Sequence, residues 1–532
     1  AEMQFDGIPQ KESGLMVAGS PVTHSYQDAR LLARPIGIDT YQEPVLYMRS
    51  DCAVCRSEGF ESQSRIKVSG NGQAFIATLN VVHGDLLEHG EAGLSDIAWS
   101  LLLMDRPCSI SVSHPEPVES FRHVRRKLYG NDLGQDALGA IVQDVVARRY
   151  SDVQISAFLS ACVGQRMNRE EVVALTLSMV NVGESLNWDT ERVYDKHCVG
   201  GLPGNRTTPI VVAVVTSFGI VMPKTSSRAI TSPAGTADTM ETITRVDLPL
   251  HELQRVVEKV NGCIVWGGAV NLSPADDVLI RVERALDVDS EAQLIASVLS
   301  KKISAGATHT IIDIPVGPTA KVRSREAAKR LSDLFRYVGD ELGLCVEIAI
   351  TDGTQPVGRG IGPALEAIDV LQVLNGDTVA PKDLRARAVL LAGKILELAG
   401  EAEEGAGSAL AQTAIDDGRA IDQFKRICDA QGGFFTPPRA QYRHEVRASD
   451  QGVVSVIDNR RLAKVAKLAG APTARAAGIE ILVRTGDVVE VGEPILIIHA
   501  EAPGELDYAL GYLSEAQDVV GISAADEDER DE

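Results

Sequence analysis

Residues 194–208 read Y-D-K-H-C-V-G-G-L-P-G-N-R-T-T, an apolar run follows over Pro209–Thr216, and residues 223–241 read P-K-T-S-S-R-A-I-T-S-P-A-G-T-A-D-T-M-E. Two segments dense in glycine, hydroxyls and cations therefore flank one apolar run, the composition an anion pocket needs. Gly200, Gly201 and Gly204 let backbone approach a ligand and turn N–H groups toward it. Lys196, Lys224 and Arg228 bring positive charge, and an arginine can grip two oxygens at once. Thr208, Ser226, Ser227, Thr231, Ser232 and Thr236 can donate to phosphoryl oxygens. A helix starting after either segment would add the positive end of its dipole. Gly/Ser/Thr clusters on their own are usually plain loops. Two of them around one buried run, with three cations, favour phosphate binding. Neither fits the Walker pattern or the dinucleotide fingerprint, which argues against nucleotide hydrolysis and hydride transfer.

Outside this stretch, apolar runs alternate with helical patterns from Asn187 to about Phe435. P-I-V-V-A-V-V-T (209–216), C-I-V-W-G (263–267), H-T-I-I-D-I-P-V (309–316) and C-V-E-I-A-I-T (345–351) read as strands. Arg325–Leu342 and Arg385–Ala399 read as helices between them. The alternation predicts a largely parallel α/β sheet. Ligands of such sheets bind beyond the carboxyl ends of the strands.

Before it, residues 115–186 carry apolar positions at three- and four-residue intervals, a helical lobe with Ser151 and Asn168 as N-caps. Pro115-Glu116-Pro117 marks its boundary with a β-rich domain over 1–112, in which turns separate short alternating runs and one helix falls near Ser95–Leu103. Residues 1–20 are polar and irregular, in the manner of tag or linker material. Cys52 and Cys55 lie in the β-rich domain with no second pair at zinc spacing, so they read as free structural thiols. Residues 440–523 are again β-rich, a sandwich-like module. Its T-G-D and V-G-E turns resemble those of biotinyl and lipoyl carriers, but no lysine stands at a hairpin tip. Residues 524–532 form an acidic, solvated tail.

The chain has 532 residues and a net charge of −22, which argues against a nucleic-acid binder and requires a local cationic pocket for any anionic substrate. An aromatic content of 4% favours aliphatic α/β packing. No apolar run approaches membrane-spanning length and the beginning lacks a signal-peptide core, so no membrane partner is expected. Eight scattered cysteines suggest reduced thiols and a cytoplasmic setting. Neither H-x-x-H spacing nor a carboxylate cluster flanks the anion loops, so no metal is expected.

D-K-H-x-x-G-G followed by K-T-S-S-R-A-I-T-S-x-A-G-T-A-D-T-M-E resembles the thymidine/pyrimidine-nucleoside phosphorylase family, and most closely its AMP phosphorylase branch. The similarity runs from about residue 115 to 520 and is strongest between Asp195 and Lys321. It implies a helical lobe, joined by a stretch near 273–304, facing an α/β lobe over 187–435 across a substrate cleft. It also implies an N-terminal domain serving assembly and a homodimer or larger homo-oligomer. The implied reaction is displacement of a nucleobase from C1 of a sugar by inorganic phosphate, a co-substrate, with no cofactor.

The resemblance assigns roles residue by residue. Lys196, Thr208, Ser226 and Thr236 fall at phosphate-binding positions. Cys198 stands where the family carries a phosphate-binding serine; a thiol donates weakly, so either its backbone N–H serves or the contact is weaker. A nucleophilic Cys198 is the sharper alternative. Gly201, Ser227-Arg228-Ala229-Ile230-Thr231-Ser232, Thr236, Ser297 and Lys321 match nucleotide-binding positions of the AMP phosphorylases. Asp289 matches the proton donor to the base, and Asp289 or nearby Asp287 could equally cap the helix that follows. Ser297 and Lys301, four residues apart on one helical face, match base-contacting positions of the pyrimidine enzymes. That branch's base-contacting arginine is absent, since Val282 stands there and Arg281 and Arg284 are out of register. His197 either touches the base or packs. Asp352-Gly353-Thr354 and Arg359-Gly360-Ile361-Gly362 form a further glycine-rich loop that could line the cleft. Three functions follow: a nucleoside 5′-monophosphate phosphorylase, a thymidine or uridine phosphorylase, or a non-catalytic anion-binding assembly protein.

Overall fold

The computed structural model describes residues 30–229, 232–286, 290–516 and 519–524, in two compact units divided after Pro117. In the first, the strands Arg30–Pro35, Val45–Arg49, Arg65–Gly70, Gln73–Val82, Glu91–Leu94 and Cys108–Ser113 close into a barrel. Alternation sends Leu31, Ala33, Leu46, Met48, Ile66, Val68, Leu79 and Leu94 inward, all nearly fully buried. The expected helix spans Asp96–Leu101, and the buried Ser95 hydroxyl before it accepts from Val45 N at 3.1 Å. Cys55 is buried and Cys52 half-buried, and all eight cysteines of the chain are free thiols.

The second unit opens with the helices Phe121–Leu128, Gln135–Val146, Asp152–Cys162 and Arg169–Asn181. Ser151 and Asn168 each close a capping box, with Gln154 and Glu171 respectively. Glu171 also takes Lys127 Nζ (2.7 Å) and Leu133 N (2.8 Å), tying three elements of the lobe together. Pro274–Leu286 and Glu291–Ser304 join this lobe and share its core.

The parallel strands Tyr194–Cys198, His309–Val316 and Cys345–Asp352 form one sheet with His309–Val316 in the middle. Met222–Ser226 and Gly262–Trp266 form a second parallel pair. Tyr194 N–H donates to Val221 O at 3.0 Å, carrying the first sheet on to the second. Within each sheet the strands are parallel, and Cys198, Ser226 and Trp266 end their strands.

Two expectations change here. Pro209–Thr216, read as a strand, belongs to the helix Thr207–Thr216. Every residue of that helix is buried, so no polar face exists to betray the helical period, and β-branched composition alone suggests a strand. The strands that do flank it, Y-D-K-H-C and M-P-K-T-S, are short and carry charged residues, which hides them from an apolar-run reading.

The C-terminal segment is less purely β than expected. Its strands Tyr442–Arg447, Gly452–Ile457, Gly478–Ile481, Val488–Val489, Pro494–Ala500 and Val520–Ser523 form two antiparallel sheets, accompanied by the helices Asn459–Leu468 and Pro503–Glu515. Gly360–Ile361, from the glycine-rich loop of the α/β lobe, pairs with Gly478–Ile481 as an edge of one sheet. Among the described residues, no helix is long and apolar enough to cross a membrane.

Candidate active site

Lys196 lies on the Tyr194–Cys198 strand and is 1% exposed. Its Nζ donates to Thr207 Oγ1 (2.8 Å) and Thr208 Oγ1 (3.3 Å), the first two residues of the buried helix. Burial holds the Lys196 amine below its usual pKa. Asp195, pointing the other way, is shared by two buried lysines: Lys302 Nζ donates to Oδ2 at 2.7 Å, and Lys224 Nζ lies 3.1 Å from Oδ1. Burial lowers the Lys302 amine to about 7 against the pull of Asp195, so the second positive charge on this carboxylate is only partly present near neutral pH. His197 is half-buried. Desolvation, followed by the charges of Lys302, Lys224, Lys301 and Lys196, pushes its imidazole well below the ordinary range, so it is neutral near pH 7 and offers one donor and one acceptor.

The first bend is shaped by glycines in the left-handed region. Gly201 has φ +80°, and a Cβ there would stand 2.3 Å from Lys321 N, so the loop bearing Lys321 closes directly over it. Gly204, at φ +68°, abuts Val357 O in the same way. Asn205, also left-handed at φ 54°, donates from its backbone to Val357 O (2.8 Å). Its side-chain Nδ2 reaches both Cys198 Sγ and Asp313 Oδ2 at 3.4 Å. Burial, with Asp313 nearby, raises the Cys198 thiol to about 12. It is therefore protonated near neutral pH, unlike an activated nucleophile.

The second bend is tied to the first through Arg206, a residue the motif reading passed over. Arg206 Nη1 donates to Thr236 Oγ1 (2.7 Å), Nη2 to Ala234 O (2.9 Å), and Nε to Glu366 Oε2 (2.7 Å). Gly235 admits no side chain, because a Cβ would meet Ser227 O at 2.5 Å. Asp238 Oδ2 staples the bend by accepting from Ala229 N (2.6 Å) and Gly235 N (2.8 Å). The Ser226 hydroxyl donates to Val265 O (3.0 Å), and that of Ser232 to Ala234 O (3.0 Å); Ser227 and Ser232 are exposed. Ile230 and Thr231 lie outside the described residues.

Arg228 does not join Lys196. Its guanidinium forks onto Glu241 at 2.7 and 2.9 Å and lies over the Trp266 ring, 4.9 Å from its centroid. The two cations share no partner among the described contacts. On the helical side, Ser297 and Lys301 are both partly open to solvent on the Glu291–Ser304 helix. Lys301 Nζ donates to Asp276 Oδ2 at 2.6 Å while remaining among the cations that depress His197. Val282 is buried, and the neighbouring Arg281 forks onto Asp152 (2.6 and 2.7 Å). Asp289 and Asp287 lie outside the described residues. Part of the glycine-rich loop, Gly360–Ile361, pairs with the C-terminal sheet.

The motif reading missed Arg206, Lys302 and Glu366. Arg206 stands between Asn205 and Thr207 in the first quoted stretch, and a cation placed beside two phosphate-type threonines was the available signal. For Lys302 and Glu366 only long-range packing reveals the role.

Hydroxyls and buried cations thus gather around the Tyr194–Cys198 and Met222–Ser226 strands of the second unit. Residues 122–183 match the helical bundle domain of a glycosyl transferase family, and residues 190–421 its a/b domain. Residues 453–519 match a pyrimidine nucleoside phosphorylase C-terminal domain. Over 493 residues the chain is 57% identical to a protein of Polaromonas sp. named "Putative thymidine phosphorylase", covering 93% of this chain and 96% of that one. A protein of the same name from Hahella chejuensis is 56% identical over 92% of this chain and 97% of its own. Anthranilate phosphoribosyltransferase from Thermus thermophilus shares the fold, with a TM-score of 0.50 and 19% identity over 58% of this chain and 99% of its own. The class is that of pentosyltransferases. The chain belongs to the thymidine/pyrimidine-nucleoside phosphorylase family, whose substrates are a nucleoside and phosphate.

Proposed function

We propose that the protein cleaves the N-glycosidic bond of a nucleoside 5′-monophosphate such as AMP with inorganic phosphate, releasing the base and ribose 1,5-bisphosphate. The observation that supports this reading is the packing of Gly201 beneath the Lys321 backbone. It adds a second cation-bearing loop beside the Lys196 pocket, which suits a substrate carrying a phosphate of its own.

In this reading Lys196, Thr208, Ser226, Thr236 and the Cys198 backbone N–H hold the attacking phosphate. The Ser226 hydroxyl turns away from Val265 O to donate to it. Gly201, Ser227–Ser232, Ser297 and Lys321 hold the nucleotide, while neutral His197 hydrogen-bonds the base. Asp289 protonates the departing base. Holding phosphate against C1 and neutralising developing charge are the two sources of rate. No cofactor or metal takes part. The barrel serves assembly of a homo-oligomer, and the free cysteines suit a cytoplasmic setting.

The test incubates the enzyme with AMP, CMP, thymidine and uridine, with and without phosphate. Base release from a monophosphate that depends on phosphate is expected. Release only from nucleosides would favour the runner-up, a thymidine or uridine phosphorylase, which is supported by Ser297 and Lys301 sharing a solvent-open helical face. Residues 118–532 alone are expected to keep turnover in a smaller particle by sedimentation; loss of turnover at unchanged assembly would contradict the barrel's role.

A further inference from the structure

The Thr236 hydroxyl, like any threonine's, carries one hydrogen and two lone pairs, so a cation already donating to its oxygen turns the hydroxyl hydrogen outward, where it is free to donate to a phosphate. Arg206 Nη1 supplies that donor at 2.7 Å. Its other nitrogens are engaged too: Nη2 on Ala234 O and Nε on Glu366 Oε2, so the fork has one orientation. Arg206 directly precedes Thr207 and Thr208, the acceptors of Lys196 Nζ. A three-residue step of backbone therefore sets the register of both bends. Asn205, held left-handed against Val357 O, fixes where that step begins.

Glu366 completes the arrangement from below. It is 2% exposed, and its Oε2 also accepts from Thr239 Oγ1 at 3.3 Å, on the helix that Thr236 begins. Its Oε1 accepts from Gly362 N at 3.3 Å. Gly362 follows the Gly360–Ile361 strand paired to the C-terminal sheet, and a Cβ there would stand 2.3 Å from Ala477 O. The C-terminal sheet thus braces the carboxylate that aims Arg206.

We propose that Arg206, oriented by Glu366, is a positioning residue for the phosphorolysis: it turns Thr236 into an obligate donor toward the attacking phosphate and locks the two bends in register. The inference rests on the reading of Thr236 as a phosphate ligand. Burial raises the Glu366 carboxyl to about 7 against the pull of Arg206, so the pair loosens on acidification through neutral pH. The charged groups facing Glu366 are Arg206 and Asp369, the latter from its own helix.

The experiment measures KM for phosphate and KM for whichever nucleoside or nucleotide the wild type cleaves. Arg206→Lys keeps the charge but loses the fork, and it is expected to raise the phosphate KM about tenfold while the other KM stays within about twofold. Methylguanidinium added to Arg206→Ala is expected to lower the raised phosphate KM, and ammonium is not. Glu366→Gln is expected to flatten the dependence of phosphate KM on pH between about 6 and 8 relative to wild type. Equal rises in both KM values, an unchanged phosphate KM, or a Glu366→Gln profile superimposable on wild type would overturn the proposal. Activity of the wild type on nucleosides alone would remove the monophosphate reading and leave this one standing.

Discussion

Cys198 shows how one side chain's surroundings decide its chemistry. It lies on the Lys196 strand, beside Asn205 and near Asp313, at a position proposed above to bind phosphate, and burial raises its thiol to about 12. A thiol held protonated cannot attack a sugar carbon efficiently, and it donates poorly to an oxyanion. Cys198→Ser replaces it with a better donor of similar shape. Turnover is expected to stay within about tenfold of wild type, with a phosphate KM that falls or holds. A loss of several hundredfold in steady-state turnover would restore the nucleophile reading. Lys196 and Arg228 differ in the same residue-level way. Lys196 is backed by hydroxyls that can be exchanged for phosphate oxygens, whereas Arg228 is already forked onto Glu241, whose carboxyl it holds below the usual range.

At the scale of elements, the site is made by two bends and the helices that start from them. The Thr207–Thr216 helix aims its N-terminal hydroxyls at Lys196, and the short Thr236–Glu241 helix starts at the residue Arg206 holds. Each bend packs tightly against its neighbouring backbone because glycine occupies the contact points. At Gly201 an added methyl would meet Lys321 N at 2.3 Å, in a backbone conformation that already costs a non-glycine residue about 1–2 kcal/mol. Gly201→Ala is therefore expected to lose about 2 kcal/mol of stability in urea unfolding and to raise the substrate KM about tenfold. An unchanged substrate KM would show that the Lys321 loop does not shape the substrate pocket.

Across the whole molecule, charge is buried in a pattern that makes folding respond to pH. Burial raises Glu366 to about 7, Asp369 to about 6 and Asp277 to about 6. Each binds its proton more tightly folded than unfolded. Their stabilising contribution is thus complete below about pH 4 and is lost as pH rises through about 6 to 7. Glu366→Gln lacks that dependence. Between pH 5 and 8 the variant is expected to gain on wild type by on the order of 2 kcal/mol in urea unfolding. A constant difference across that range would mean that Glu366 is not titrating in the fold. Asp195 is opposite in sign: Lys224 and Lys302 hold it ionised against the cost of burial, and that support is lost as pH falls below the ordinary carboxylate range.

The chain's own order of residues determined a great deal. Helical periodicity announced the first lobe, Ser151 and Asn168 announced its N-caps, and residues 309–316 and 345–351 announced two strands that the structure pairs in parallel. The glycines, hydroxyls and cations of Asp195–Glu241 by themselves pointed to an anion pocket, and it was the resemblance of that long composite to a known family that pointed to a nucleoside phosphorylase. Local reading misplaced Pro209–Thr216, since a helix buried on every side has no polar face to mark its period. It also passed over the strands of Lys196 and Lys224, whose charged residues break the apolar pattern of a buried strand. Tertiary structure alone decided that Arg206 meets Thr236 and Glu366, that Lys302 rather than Lys301 pairs with Asp195, and that Arg228 turns to Glu241. Each of these contacts joins residues between 13 and 160 positions apart. Their pairing depends on which packed elements bring a desolvated charge to its counter-charge, and that is a property of the folded core rather than of spacing along the chain.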